Sequence, residues 1–269
     1  MRNSDTPSSR LPTVLLAATF GLAATVSAQQ SNDAIPRTAD GRPDLSGTWD
    51  NGAGIDFVRP KQDGDSICIF GCAGGGALPL NVAAPTTPQY RPDFAARVAD
   101  LDKRQVAEDP VLRCVAPGVP RIGPPDKIVQ RAGEAVFLYE DVSGSFFRIV
   151  PTDGRPHPTN NEPSFLGDAV GHWEGDTLVV ETVNFNDQTW LTDNGAFHTG
   201  DLRVVERLHR TADTLEWVAT AHDPAVLAEP WELAKRVARL TDVEIVESPP
   251  CIDRSLEHMV DDSHHTNPR

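Results

Sequence analysis

The sequence predicts an all-β, mainly antiparallel fold that closes into a barrel, with one or two short helices and long loops. Short runs of alternating apolar and polar residues recur between turn residues from residue 126 onward, as expected for half-buried strands. The runs are joined largely by short links, which favour an antiparallel meander because parallel strands need long crossovers. The 23 prolines and 20 glycines supply the turns, and closure into a barrel removes the unpaired edges of such a sheet.

The first 28 residues are typical of a secretory signal peptide. Arg2 and Arg10 precede an apolar stretch from Leu11 to Val26, and Val26-Ser27-Ala28 provides the small residues of a cleavage site. The apolar stretch is shorter than the roughly 20 residues that a membrane-spanning helix requires. We therefore expect a periplasmic or secreted protein that does not insert into the membrane after cleavage. Its mature part, residues 29–269, is expected to be a single domain.

Residues 29–125 are expected to form an extended N-terminal segment. Within this segment, Gly47-Thr48-Trp49 opens a first strand, a pattern found at the closed end of lipocalin-type barrels. A helix is predicted near residues 93–106, because the apolar residues there recur at helical spacing and Pro92 supplies a start signal. A proline-rich connector follows from Cys114 to Pro125.

The main strands are expected within residues 126–250. The predicted runs are Val136–Tyr139, Phe146–Val150, Asp176–Phe185, Leu202–Arg210, Leu215–Ala221 and Val243–Val246. Strand alternation assigns the faces of each run, because successive side chains point to opposite sides of a sheet.

Alternation places Glu206 on the apolar face of its strand. A carboxylate there is costly unless it is paired or hydrogen-bonded, so Glu206 is either a structural partner or an acid/base group with a raised pKa. On the following strand, Trp217 shares its face with Ala219 and Ala221. These small residues leave interior space that is open to a ligand or filled by bulky neighbours.

Cys68, Cys72, Cys114 and Cys251 form an even set, and disulfides are the usual state of cysteines in an exported chain. Three pairings are possible, and we favour Cys68 with Cys72 and Cys114 with Cys251. A metal site at Cys68 and Cys72 is a weaker interpretation, because no histidine or second cysteine pair lies nearby. No metal site is therefore predicted.

The formal net charge of −15 argues against nucleic acid and anionic membranes as partners. Both would require clustered Lys and Arg to neutralise phosphate. The chain also lacks the motifs of nucleotide binding, zinc proteases and serine hydrolases. We therefore expect no cofactor and a small-molecule ligand or substrate as partner, whereas the oligomeric state leaves no clear mark in the sequence.

Two loops hold residues suited to the mouth of a barrel. Arg155 and His157 lie in the first loop, and Trp190 and His198 lie in the second. A single histidine in a long loop is usually solvated and idle. Two histidines, an arginine and a tryptophan that converge with Glu206 would nevertheless suffice for proton transfer on a bound organic molecule.

Several segments form a distinctive set: GRPDLSGTW at 41–49, RC at 113–114 with PGVPR at 117–121, DGRPHP at 153–158 and GHWEGDTLVVET at 171–182. As a set they resemble a family of exported bacterial proteins and span most of the mature chain. The family pattern has Arg before Trp in the last segment, where this chain has His172. The resemblance implies a lipocalin-like barrel and supplies no settled reaction.

Two main functions are compatible with these residues. The leading hypothesis is a cofactor-independent acid–base enzyme, a lyase, isomerase or hydrolase, acting outside the cytoplasm on a small, partly apolar organic molecule or glycoside. The alternative is a non-catalytic, lipocalin-like carrier of a hydrophobic small ligand, with Glu206 paired to an inward Arg. A third reading, a structural protein of the envelope, predicts no enclosed pocket. The candidate catalytic residues are Glu206, His157, His198 and Arg155, and the candidate substrate-binding residues are Trp190, Trp217, Trp231, Tyr139 and Arg148.

Overall fold

The computed structural model describes residues 35–51, 61–63, 66–68, 86–248 and Cys251. All of them lie in a compact unit that begins at Asp33. The predicted signal peptide and Cys72 lie outside the described residues, as does the side chain of Cys68. Signal cleavage and the pairing of Cys68 with Cys72 therefore stay predictions.

Most of the described regular structure is β-strand. The strands are β1 (Gly47–Asp50), β2 (Lys61–Asp63), β3 (Ser66–Cys68), β4 (Lys127–Arg131), β5 (Glu134–Asp141), β6 (Gly144–Pro151), β7 (Asp168–Glu174), β8 (Thr177–Val183), β9 (Arg203–Arg210), β10 (Thr214–His222), β11 (Trp231–Glu232) and β12 (Arg236–Thr241). The helices are α1 (Pro92–Lys103), α2 (Gln105–Glu108) and a 3-10 turn at Pro110–Arg113.

Ten strands form one sheet, which confirms the predicted all-β, antiparallel barrel. Their order is β6-β5-β4-β1-β12-β10-β9-β8-β7, with β11 paired to β10, while β2 and β3 form a separate hairpin. The sheet curls until its edge strands, β6 and β7, approach each other without a paired register in the part of the chain that the structure describes. At Gly171 on β7, an added Cβ would lie 3.1 Å from side-chain atoms of both Val150 and Thr152. The barrel is therefore nearly closed, with one seam between β6 and β7.

The predicted faces of β9 and β10 are confirmed. Val204, Glu206 and Leu208 are buried on β9, and the residues that alternate with them are more exposed. On β10, Trp217 and Ala219 are completely buried. Alternation succeeds here because each of these strands pairs on both sides and buries one face against the barrel core.

The strand predicted at Val243–Val246 is wrong. The last strand of the sheet is β12, which ends at Thr241, and residues 243–246 form no strand. The run has strong β propensity, but a strand also needs a neighbouring strand to bond. The backbone N–H of Val246 instead donates to the side chain of Glu140, so a side chain takes the role that a neighbouring strand would have.

The helix predicted near residues 93–106 is confirmed as α1. Pro92 occupies its first turn, where a missing N–H costs nothing. Phe94, Val98 and Leu101 are partly buried and pack against the barrel core. The helical conformation breaks at Arg104 and resumes as the short α2.

The disulfide between Cys114 and Cys251 is confirmed, with Cα atoms 5.6 Å apart and a sequence separation of 137 residues. It attaches the end of the described chain to the proline-rich connector. No helix in the described ranges is both long and apolar enough to cross a membrane.

Candidate functional site

An ion pair between Arg148 and Glu206 lies at the centre of a polar cluster inside the barrel. Nη2 of Arg148, on β6, lies 2.6 Å from Oε2 of Glu206, on β9, and the two side chains are 2% and 0% exposed. Arg148 also donates to the hydroxyls of Thr182 at 2.7 Å and Tyr139 at 3.1 Å. The indole Nε1 of Trp217 donates to the second oxygen of Glu206 at 3.1 Å. Arg148 thus joins β6 to β8 and β9 across the seam of the barrel.

Strand register explains why these groups meet. Glu206 lies opposite Val180 on β8 and Ala219 on β10, both of which are completely buried. Thr182 is the next inward position on β8 after Val180, because side chains on one face recur every second residue. The methyl group of Ala219 leaves room beside it for the carboxylate.

The electrostatics of the cluster keep the arginine charged. Burial by itself acts to lower the pKa of Arg148, but the attraction of Glu206 and the hydrogen bonds outweigh it, and the pKa is raised. Burial raises the pKa of Tyr139, so its phenol stays neutral. A neutral phenol accepts the Arg148 hydrogen bond and keeps its own proton.

The cluster leaves one buried donor unused. Both oxygens of Glu206 accept hydrogen bonds, whereas Nε of Arg148 is buried and has no acceptor among the described residues. Such orphaned groups are rare in native structures, because each costs about 1–3 kcal/mol of desolvation.

A cleft of about 800 Å³ follows the seam and is lined by β6, by residues 114–116 and by residues 158–170, with gaps. We call it the side cleft. Its walls are mainly apolar and include Phe147 and Ile149, which are 63% and 51% exposed. Arg148 belongs to the same lining. The side cleft is therefore mainly apolar, and the Arg148 side chain, which is 2% exposed, lies behind its wall on the inner face of β6.

The other charged groups of the side cleft already have partners. Asp168 accepts from the amides of Asn161 at 2.8 Å and Asn184 at 2.7 Å, one on each oxygen. The guanidinium of Arg155 is half-exposed and binds Asp153 at 2.5 Å. Neither group is a free acid or base.

His157 lies on the outer side of the sheet, away from Glu206. Its Nε2 is 3.3 Å from Glu181, which also accepts from Arg203 at 2.7 Å. Glu181 lies between the inward-facing Val180 and Thr182 on β8, so it faces the opposite side. The structure therefore does not bring His157 and Glu206 together.

His198 is a hydrogen-bonded histidine of the protein interior. Its Nδ1 donates to the carbonyl of Thr199 at 2.9 Å, which leaves Nε2 to accept from the Thr189 hydroxyl at 2.7 Å. Burial lowers the pKa of His198 and favours this neutral form. In the same loop, Trp190 is buried and forms an isolated β-bridge with Phe197.

The predicted residues therefore divide into two groups. The structure brings Tyr139, Arg148, Glu206 and Trp217 into contact inside the barrel. The other predicted site residues lie elsewhere in the fold: Arg155, His157, His198, Trp190 and Trp231. Trp231 lies on β11 and donates from its indole to Thr86 at 2.9 Å.

Sequence reasoning missed Thr182 and the walls of the side cleft. Thr182 could have been recognised from the sequence, because it is a polar residue at an inward position of an apolar strand. The wall residues Phe165 and Leu166 lie in a loop outside any strand. Nothing local to that loop indicates that it faces the seam.

Comparisons of the chain with protein-family models, with curated proteins and with solved structures give no match. Within the described ranges, no three His, Cys, Asp or Glu side chains converge as metal ligands would.

Proposed function

We propose that this protein is a lipocalin-like carrier that binds a small, partly apolar organic molecule in the side cleft, outside the cytoplasm. The observation that carries the proposal is a cleft of about 800 Å³ with largely apolar walls at the seam of the barrel. Binding sites for small organic molecules are typically clefts of about 300–1,000 Å³ with apolar walls and a few polar groups. The side cleft fits this description.

Exposed apolar side chains support binding at this place. Phe147 and Ile149 project from an edge strand, and both line the side cleft. Large apolar residues clustered beside a cavity are a mark of a binding surface, whereas scattered ones are not. A bound ligand would remove part of their surface from water.

The lining of the side cleft indicates the chemistry of the ligand. Its walls are mainly apolar, and the charge of Arg148 behind them is already balanced by Glu206. The ligand we propose is therefore an uncharged, mainly apolar molecule.

The geometry supports a carrier better than an acid–base enzyme. Proton transfer requires a titratable group within hydrogen-bond reach of the substrate. Glu206 is bonded on both oxygens and lines neither the side cleft nor the cavity beside Trp231. His157 and His198 are engaged at separate places in the fold.

The disulfide between Cys114 and Cys251 supports the proposed location outside the cytoplasm, because disulfides persist mainly in oxidising compartments. The sequence features of a signal peptide agree with it. Cleavage after Ala28, checked by N-terminal sequencing of protein recovered from the periplasm or medium, is the direct test of export.

The test of binding uses Nile red, an uncharged apolar dye whose fluorescence rises in an apolar site. We expect saturable binding to the native protein. Ile149→Glu and Phe147→Glu should each weaken it at least tenfold, because they remove about 1.5–3 kcal/mol of apolar contact and add a charge.

Leu240→Glu is the matched control, because Leu240 is also an exposed apolar strand residue, 41% exposed, but does not line the side cleft. It should leave the affinity unchanged. Equal binding by all three variants and the parent protein, with thermal melts showing that each is folded, would refute the side cleft as the binding site.

A further inference from the structure

A second cavity, of about 350 Å³, lies beside Trp231 and is lined by residues distinct from those of the side cleft. Two arginines, Arg121 and Arg236, reach it together with apolar side chains that include Leu191 and Leu233. We call it the Arg236 cavity. The mixture of guanidinium groups and apolar surface suggests a ligand with an acidic end and an apolar body.

The two arginines differ in how their charge is balanced. Arg121 forms a two-pronged ion pair with the buried Asp109, with both nitrogen–oxygen distances at 2.7 Å. Arg236 has no hydrogen-bond acceptor and no carboxylate partner among the described residues. Burial lowers the pKa of Arg236. Arg236 is therefore the cation in this cavity whose charge is uncompensated.

The guanidinium of Arg236 lies close to the backbone of the proline-rich connector at Gly123. A Cβ added at Gly123 would lie 2.9 Å from Nη1 of Arg236. A glycine at this position leaves the room that the guanidinium occupies. The side chain is thus packed against the connector while its donors stay available.

Trp231 supplies a flat apolar wall. It is 7% exposed, and its Nε1 is already bonded to Thr86. The indole therefore has no free donor for a ligand and offers ring surface instead. Arginine favours carboxylates, because the planar guanidinium bonds both oxygens at once.

We propose that the Arg236 cavity binds a small aromatic or apolar carboxylic acid, with its carboxylate on Arg236 and its apolar body against Trp231. A monoanion fits better than a phosphate dianion, because only one cation is uncompensated and the exposed carboxylate of Asp193 lies at the same cavity. This site is separate from the side cleft, and its existence does not depend on the proposed carrier function.

The test measures the affinity of benzoate, phenylacetate and indole-3-acetate by isothermal titration, each beside its neutral amide. We expect at least one acid to bind at least tenfold more tightly than its amide, and Arg236→Gln to abolish that preference. Arg239→Gln is the matched control, because Arg239 lies on the same strand and is exposed. It should leave the affinity unchanged.

Three results would overturn the inference. The first is that no acid binds better than its amide. The second is that Arg236→Gln leaves the affinity unchanged while Ile149→Glu removes it, which would assign the acid to the side cleft and support the proposed function alone. The third is that Arg236→Gln lowers the melting temperature by 5 °C or more, because loss of an uncompensated, partly buried charge should leave stability unchanged or raise it.

Discussion

Arg148 and Glu206 form a buried ion pair that spans the seam of the barrel. Arg148 is on the edge strand β6 and Glu206 is on β9, two strands inside the other edge, so the pair crosses a seam where the described chain has no strand pairing. Sequence alternation identified Glu206 as an inward carboxylate with two possible roles. The sequence does not show which arginine pairs with Glu206, because the pairing depends on how far the sheet curls.

Removing one member of this pair should destabilise the fold strongly. We expect Glu206→Gln and Arg148→Met each to lower the free energy of unfolding by about 3–5 kcal/mol, because each leaves a buried group without its partner. The double variant Arg148→Met with Glu206→Gln should lose less than the sum of the single losses. Urea unfolding of the four proteins measures this coupling, and additive losses would contradict the assignment.

The proline-rich connector is fixed to the loop at residues 184–200 by a close approach at Gly118. The φ angle of Gly118 is +79°, and a Cβ added to this glycine would lie 2.4 Å from Oγ1 of Thr189. Thr189 in turn bonds His198. The two elements therefore meet through a glycine that has no room for a side chain.

Gly118→Ala should destabilise the protein more than Gly154→Ala does. Gly154 has a similar φ of +86° but open space around it. Both variants cost about 1–2 kcal/mol for the left-handed backbone, and Gly118→Ala adds about 1–3 kcal/mol of overpacking. Thermal melts compare the two directly, and equal losses would contradict the close approach.

Elements that bury one face could be predicted from the sequence, and elements defined by distant neighbours could not. The inward faces of β9 and β10 followed from alternation, and α1 followed from helical spacing and Pro92. The run Val243–Val246 looked like a strand but has no strand to pair with. The pairing of Cys114 with Cys251, which the sequence analysis favoured among three possible pairings, is confirmed by the fold.

At the scale of the whole molecule, large side chains pack the barrel interior, whereas the side cleft lies at the seam and the Arg236 cavity lies beside Trp231. Trp49, Trp217 and Phe137 are completely buried in this core. Neither of the two cavities discussed above is lined by Trp217 or Ala219. The interior space suggested by the small alanines is therefore not the candidate site. The position of the site depends on the seam between β6 and β7, which follow each other in the sequence but lie at opposite ends of the strand order.

The central claim is that the protein carries a small molecule and does not transform it. The most direct test is mass spectrometry of the purified mature protein incubated with pooled aromatic and glycosidic compounds, beside Glu206→Gln and Ile149→Glu. We predict that the parent protein retains an intact compound, that Ile149→Glu loses it, and that no product forms in any sample. A product that forms with the parent protein and is absent with a folded Glu206→Gln variant would contradict the carrier and establish Glu206 as a catalytic carboxylate.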